Sequence, residues 1–557
     1  MIIKGTAPIF RSGVVESISI RVLAIFLALG FCAIAGQARA GYFDDIGFTP
    51  LQSEVGAALA DGTGLRITIV EACTGNPCAW APDPGARSIT VGDDGPAVAP
   101  PYSGHATTVG NLYFGDDSTT PGIGISPSPG IAGWRADEWL TSEFLQLLET
   151  FTPPSVTASR VASHAYVGSF GDPVVDLNGL RRLDWLVDRD EYVQVGGFIG
   201  NDATFLASAF NAIIVHATSG TWTAGSQPVS GDAAYAAVRT RPQLVTPETS
   251  SSTATGRVAS AAALLIDTAQ ENPGLSNGST TNRNGDTVRN AERAEVVKAA
   301  LMAGADRATR NTHPAATPFD IIEYRIDPAD QTSNGLDRRY GAGQLSIYNS
   351  YYVITAGEQD SAEDGGPSNI ADFGFDYDDE FGGSSGSNST GTYYFSTANE
   401  AVEFFASLVW NVRITPGATW AFSQAATLYN MNLQLYDVSD RGNWVLVQQS
   451  ASTVDNTENI RARLNSNTDY ALRVARAAGQ GSFNWDYGIA WRSLVPGDVD
   501  GDRDVDVADV MLLQKAVTGD IVLSQPQHSR ADVHPVGGDG SLTVADVLNA
   551  QKTATKQ

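Results

Sequence analysis

Basic residues are scarce. The chain has 557 residues, with 35 Lys and Arg against 62 Asp and Glu, and a formal net charge of −27. Such a surface repels a phosphate backbone, which excludes nucleic acid as a partner. Cysteine is scarcer still, three in all. Cys32 lies in an apolar run near the start. Cys73 and Cys78, in EACTGNPC (71–78), are spaced so that they can close one small disulfide loop in an oxidising compartment or stand as two free thiols. Long hydrophobic runs are absent beyond residue 36, so no membrane span is expected.

Lys4, Arg11 and Arg21 precede the apolar run VLAIFLALGFCAIAG (22–36), and Ala38-Arg39-Ala40 follows it. A basic start, a short apolar stretch and a small-x-small site form a secretory signal. The expectation is export, with residues 1–40 removed. The disulfide is the favoured state of Cys73 and Cys78 on that account.

What remains is too long for one core, and roughly three or four domains are expected. Over 41–357, short β-branched runs alternate with Ala/Leu-rich segments. RITIV (66–70), YVQVGGFIG (192–200) and NAIIVHA (211–217) read as buried parallel strands. EWLTSEFLQLLETF (138–151), RVASAAALLIDTA (257–269) and AEVVKAALMAGA (294–305) read as helices, giving an α/β domain with a parallel sheet. The polar stretch 358–369 reads as a linker. Over 370–495 only alternating strands appear: ASLVWNVRI (406–414), MNLQLYDV (431–438), NWVLVQQ (443–449), DYALRVA (469–475) and DYGIAW (486–491). They imply an accessory β-sandwich with Trp410, Trp444 and Trp491 in its core. A carbohydrate-binding face is the alternative role for those rings. Residues 496–557 form a last unit of two Asp-rich loops, each followed by a short helical pattern.

Three separated motifs carry chemistry. DGTGLRITIVEA (61–72) is a Gly turn and a strand ending in Glu71, and chemistry gathers at that end of a parallel sheet. SGHATTVGN (103–111) sets His105 before a small-residue segment. TPETSSSTATGRVASAAALL (246–265) sets three serines before a small-residue helix. A serine there is ordinarily a helix cap. In this order the motifs resemble the subtilase family of serine peptidases. GLRITIVEA stands where the family has a strand ending in its catalytic Asp, HATTVGN matches the HGTHVAG-type motif, and SSSTATGRVASAAAL matches GTSMAAPHVAGAAAL. The resemblance runs from 41 to 352. It implies a carboxylate–histidine–serine triad of Glu71, His105 and Ser252, and an oxyanion contact from Asn201 in GFIGND. Serine needs a base to take its proton, and the imidazole needs a carboxylate to orient it. Three departures stand in this chain: Glu71 for Asp, Ser250 for Gly, and Thr255-Gly256 where the family has Pro. A carboxylate one methylene longer leads to the expectation that Glu71→Asp keeps or raises activity. The implied function is a secreted serine endopeptidase acting on protein or peptide. The alternative is an inactive, surface- or scaffold-associated binding protein on the same fold.

In the tail, GDVDGDRDVDVADVMLLQKAV (497–517) places Asp498, Asp500, Asp502, Asp504, Asp506 and Asp509 at the loop positions that hard-oxygen ligands of Ca2+ occupy. ADVHPVGGDGSLTVADVLNAQK (531–552) repeats the plan with Asp532, Asp539 and Asp546. The pair resembles a dockerin type I module, whose family partner is a cohesin domain. Arg503, where the turn usually has Gly, and the inserted HPVGG depart from that pattern.

Overall fold

The computed structural model describes residues 42–115, 130–149, 151–198, 205–218, 229–235, 238–307, 328–382, 389–501, 504–536, 538 and 540–555. Residues 1–40, including the secretory-signal stretch, lie outside them.

Seven parallel strands form the central sheet: β1 (Ile67–Glu71), β2 (Ile89–Val91), β3 (Ile131–Arg135), β4 (Val161–His164), β5 (Val193–Gly197), β6 (Ile213–Ala217) and β7 (Leu244–Thr246). Their spatial order is β2-β3-β1-β4-β5-β6-β7. The chain leaves β1 toward β2 and β3, then returns to β1's other side with β4. Strand order therefore reverses beside β1, the kind of place where an open parallel sheet leaves a crevice at its carboxyl edge.

Successive strand residues face opposite ways, and both faces are covered. Ile67, Ile69, Val193, Val195 and Ile213 share one buried core with helices α1 (Gly104–Tyr113), α3 (Ser251–Glu271) and α4 (Ala294–Gly304). Val70, Ala162 and Ile214 share another with α2 (Pro173–Asp190) and with Trp139 and Phe144. Helix α5 (Ile347–Thr355) joins the first core. The sheet and its flanking helices form the α/β domain with a parallel sheet that the sequence implies.

Two sequence expectations fail locally. Residues 138–151 do not form one helix. A short turn gives way to a wide π-helical turn over Trp139–Glu143, and the chain then bends, with Gln146 and Phe151 at positive φ. Trp139 stacks on Phe144, while Gln146 Nε2 and Ser155 Oγ take the Glu143 carbonyl that a continuing helix would use. Trp444 is only half-buried, against Tyr394 and Tyr436, whereas Trp410 and Trp491 are fully buried.

After a small hairpin, β8 (Ser279–Thr281) with β9 (Thr287–Arg289), the later strands are antiparallel: β10 (Phe373–Asp378), β11 (Thr390–Ser396), β12 (Val402–Val409), β13 (Met431–Asp437), β14 (Val445–Ser450), β15 (Thr457–Leu464), β16 (Asp469–Arg476) and β17 (Tyr487–Leu494). They make two four-stranded sheets, β10-β17-β12-β15 and β11-β16-β13-β14, closed on one core. The first sheet also lies on α4. A Cβ at Gly488 would meet Val296 N at 2.8 Å, so only glycine admits that approach. Phe375, Tyr377, Val409 and Ala490 join the core of the parallel sheet. The connecting stretch 358–369 is tied to both sides, Glu358 to Asn277 and Asn290, Glu363 to Thr390 and Thr392.

The tail packs α6 (Val507–Thr518), α7 (Gln525–Ala531) and α8 (Val544–Ala554) around Val499, Leu513, Leu523, Ala531 and Ala550. Among the described residues no helix is long and apolar enough to cross a membrane.

Candidate active site

Glu71 ends β1 and continues the parity of Ile67 and Ile69, which face α1 and α3. Its carboxylate meets His105 in the first turn of α1, with Oε2 2.9 Å from Nδ1. A carboxylate only accepts, so Nδ1 carries the proton and Nε2 is left as the basic nitrogen. Only 2% of the Glu71 side chain is exposed, against 43% for His105, so the acid is walled in while the imidazole keeps an open edge. Burial pushes the Glu71 carboxyl above the usual range, and the His105 contact opposes this. The hydrogen bond to Glu71 raises His105 above the ordinary imidazole value, against a smaller effect of burial. Glu71 Oε1 is buried without a hydrogen-bond partner among the described residues.

The disulfide Cys73–Cys78 closes the loop that follows Glu71. Thr74 and Ala79 pair across it, and Thr74 Oγ1 donates to Ser103 Oγ at 3.3 Å. Ser103 is the N-cap of α1, accepting from Ala106 N–H. The loop thus braces the helix end that carries His105.

The three serines of 250–252 occupy different environments. Ser250 is the N-cap of α3, closing a capping box with Thr253. Ser251 is buried against the strand end, where Gly197 has no side chain to block it. Ser252 is half-buried and donates from Oγ to the Ala165 carbonyl at 3.3 Å. Its own N–H stands in the first turn, without an intrahelical acceptor. The register explains the meeting. Val70 pairs with His164, the last residue of β4, so Glu71 at the end of β1 stands beside Ala165 just past the end of β4. Helices α1 and α3 bring their N-termini to the same edge. Gly256 lies against Val109, where a Cβ would stand 2.8 Å from the Val109 carbonyl. Ser252 and His105 each precede that contact by one helical turn, on the faces that touch. Ser252 Oγ is bonded to Ala165 and not to His105.

A cavity of about 310 Å³ opens beside these groups, between the ends of β4 and β5. Leu140, Val167, Phe170, Phe205 and Leu206 make its wall mostly apolar, and Ala72 and Cys73 reach it from the β1 side. Ala165, Gly197 and this wall are not marked by the sequence, because register and loop packing create them. Asn201 lies outside the described residues.

In the tail, Asp498, Asp500 and Asp509 each place one carboxylate oxygen within 4.8 Å of the others. Three hard donors at that spacing fit a calcium ion. Asp509 also accepts the N–H groups of Val499, Asp500 and Asp506, holding loop to helix. Asp506 is outside the trio and serves as the N-cap of α6. Asp504 accepts from Val505 N–H at 2.8 Å. In the second loop Asp546 repeats the part of Asp509, accepting from Val533, His534 and Thr543. Asp532 accepts from Gly540. Asp502 and Asp539 lie outside the described residues.

Solved structures include chains that match this one in part. A solved structure described as the prenylagaramide maturation protease PagA matches 56% of this chain and 99% of its own, at 17% identity and a TM-score of 0.31. No family model matches the chain, and no curated protein sequence matches it. The likeness of the tail to dockerin modules thus rests on its residues alone.

Proposed function

We propose that the chain is an exported serine endopeptidase in which Ser252 is the nucleophile, His105 the general base and Glu71 the carboxylate that orients it. The observation that carries the reading is the 2.9 Å contact of buried Glu71 with His105 at the carboxyl edge of the sheet, level with the carbonyl that holds Ser252. The Ser252–Ala165 hydrogen bond is long, so Oγ is released cheaply. In the reaction Oγ attacks a peptide carbonyl carbon while His105 Nε2 takes its proton. The Ser252 N–H and the positive end of α3 favour the oxyanion. The C–N bond then breaks, the amine leaves with the His105 proton, and water releases the acyl group by the same path. The apolar cavity suits a large apolar substrate side chain beside the scissile bond. Calcium would be held in the tail by Asp498, Asp500 and Asp509, fixing the first loop against α6.

A fluorophosphonate probe tests the reading. The folded protein should be labelled on Ser252, and Ser252→Ala should remove both label and peptide hydrolysis. The second reading, a binding protein on an inactive fold, draws on the absence of a Ser252–His105 hydrogen bond among the described residues. An unlabelled Ser252 in well-folded, calcium-loaded protein would establish that one instead.

A further inference from the structure

Where the sandwich meets the parallel-sheet layer, three acidic side chains converge from three segments. Asp188 comes from the last turn of α2, Glu295 from the first turn of α4, and Asp486 from the residue before β17. One carboxylate oxygen of each lies within 4.8 Å of the other two. Glu295 is 1% exposed. Two oxygens here, Glu295 Oε2 and Asp486 Oδ1, are buried without a hydrogen-bond partner among the described residues. The other oxygens of these two groups are held in place. Asn411 Nδ2 donates to Glu295 Oε1, and Tyr377 OH donates to Asp486 Oδ2 at 2.5 Å. The guanidinium of Arg293 attracts Asp486 from nearby, but its direct ion pair is with Glu191 Oε1 at 2.6 Å, and Glu191 Oε2 takes the Ala294 N–H.

Three converging carboxylates, two of them with a buried oxygen that lacks a partner, repel one another where little water reaches them. Hydrogen bonds from Asn411 and Tyr377 aim them but do not neutralise them. We propose that this junction binds a divalent cation, calcium by its all-oxygen donor set, with Asp188, Glu295 and Asp486 as ligands, and that the ion clamps the sandwich to α2 and α4. Calcium–oxygen distances are about 2.3–2.6 Å, so two ligands of one ion stand no more than about 5 Å apart. The three oxygens, all within 4.8 Å of one another, fall inside that limit. Carboxylates from three separate segments would be cross-linked at one point. The site is separate from the tail loops and from the Glu71–His105 pair.

Terbium, a luminescent substitute for calcium, tests this without any need for catalysis. Tyr377 and Trp485 stand beside the junction and can sensitise the ion, whereas residues 496–557 contain no Tyr, Trp or Phe. The full chain after residue 40 should give saturable aromatic-sensitised emission that calcium displaces. Asp486→Asn and Glu295→Gln should lose it, and Asp500→Asn in the tail should keep it. Absence of calcium-displaceable emission in the unaltered protein would overturn the proposal, as would emission that survives both junction variants. Should the variants fail to fold, hydrogen exchange on the unaltered protein decides. Calcium should slow exchange of the backbone amides around 294–300 and 486–492, and unchanged exchange there overturns the site.

Discussion

A glutamate carboxylate stands about 1.5 Å farther from its backbone than an aspartate carboxylate. At the end of β1 that reach is used, because Glu71 Oε2 arrives 2.9 Å from His105 Nδ1. The structure therefore reverses the expectation that Glu71→Asp keeps or raises activity. The shorter side chain would leave a gap, and a displacement near 1 Å costs roughly 100-fold in rate. We expect kcat/KM of Glu71→Asp to fall by about one to two orders of magnitude; activity equal to the parent in both Glu71→Asp and Glu71→Ala would remove Glu71 from the mechanism. The pH profile reports the same contact. A base must be neutral to work, so activity is lost as pH falls through the His105 pKa. Glu71 raises that pKa, and the acid limb of kcat/KM should lie above the usual imidazole value. Glu71→Gln removes the charge while keeping the shape, and should move the limb downward. A limb that stays in place shows that the carboxylate does not set His105.

At the scale of elements, Gly256 decides how closely α3 approaches α1. The subtilase motif that this segment resembles carries proline here, and this chain spaces the helices with a glycine against the Val109 carbonyl. Gly256→Val must push the helices apart, with an overpacking cost of about 1–3 kcal/mol. Each helix carries one of the proposed catalytic residues one turn earlier, so the shift should separate Ser252 from His105 without touching either. The expected outcome is a kcat reduced far more than folded yield or KM; unchanged kcat would mean that the Gly256 contact does not set the site. Much at this scale was legible. RITIV (66–70), YVQVGGFIG (192–200) and NAIIVHA (211–217) overlap β1, β5 and β6, and 257–269 lies within α3, because buried parallel strands and an Ala-rich helix leave clear apolar patterns. The 138–151 stretch misled because a helical run of apolar residues was also suited to aromatic stacking and side-chain capture of its carbonyls. Helix α2 escaped although Asp172-Pro173 marks its start, since arginines and aspartates, buried by partners far away in sequence, break its apolar stripe. The grouping of Glu71, His105 and Ser252 came only from the resemblance; the hold of the Ala165 carbonyl on Ser252 was not readable, because it depends on the register of β1 with β4.

At the scale of the whole molecule, an α/β layer joined by a linker to a sandwich suggests two independently melting bodies. The structure gives a different coupling. Phe375, Tyr377, Val409 and Ala490 of the sandwich belong to the core of the parallel sheet. Arg492 of β17 donates from Nε to the Ala303 carbonyl at 2.7 Å and from Nη2 to the Ala305 carbonyl at 2.8 Å. These are carbonyls at the end of α4, where the helix dipole favours a cation. The guanidinium also stacks 3.7 Å over Phe405 and is almost wholly buried. Hydrogen bonds to a buried charge contribute about 1.5–3 kcal/mol each, partly offset by desolvation, so Arg492→Ala should cost about 3 kcal/mol. Arg492→Met should cost less, since it fills the space and removes the charge that needed partners. Because the two layers share a core, calorimetry should show one transition covering both, displaced as a single peak in Arg492→Ala. A sandwich that melts at its original temperature while the α/β layer melts earlier would show that the shared core does not couple them.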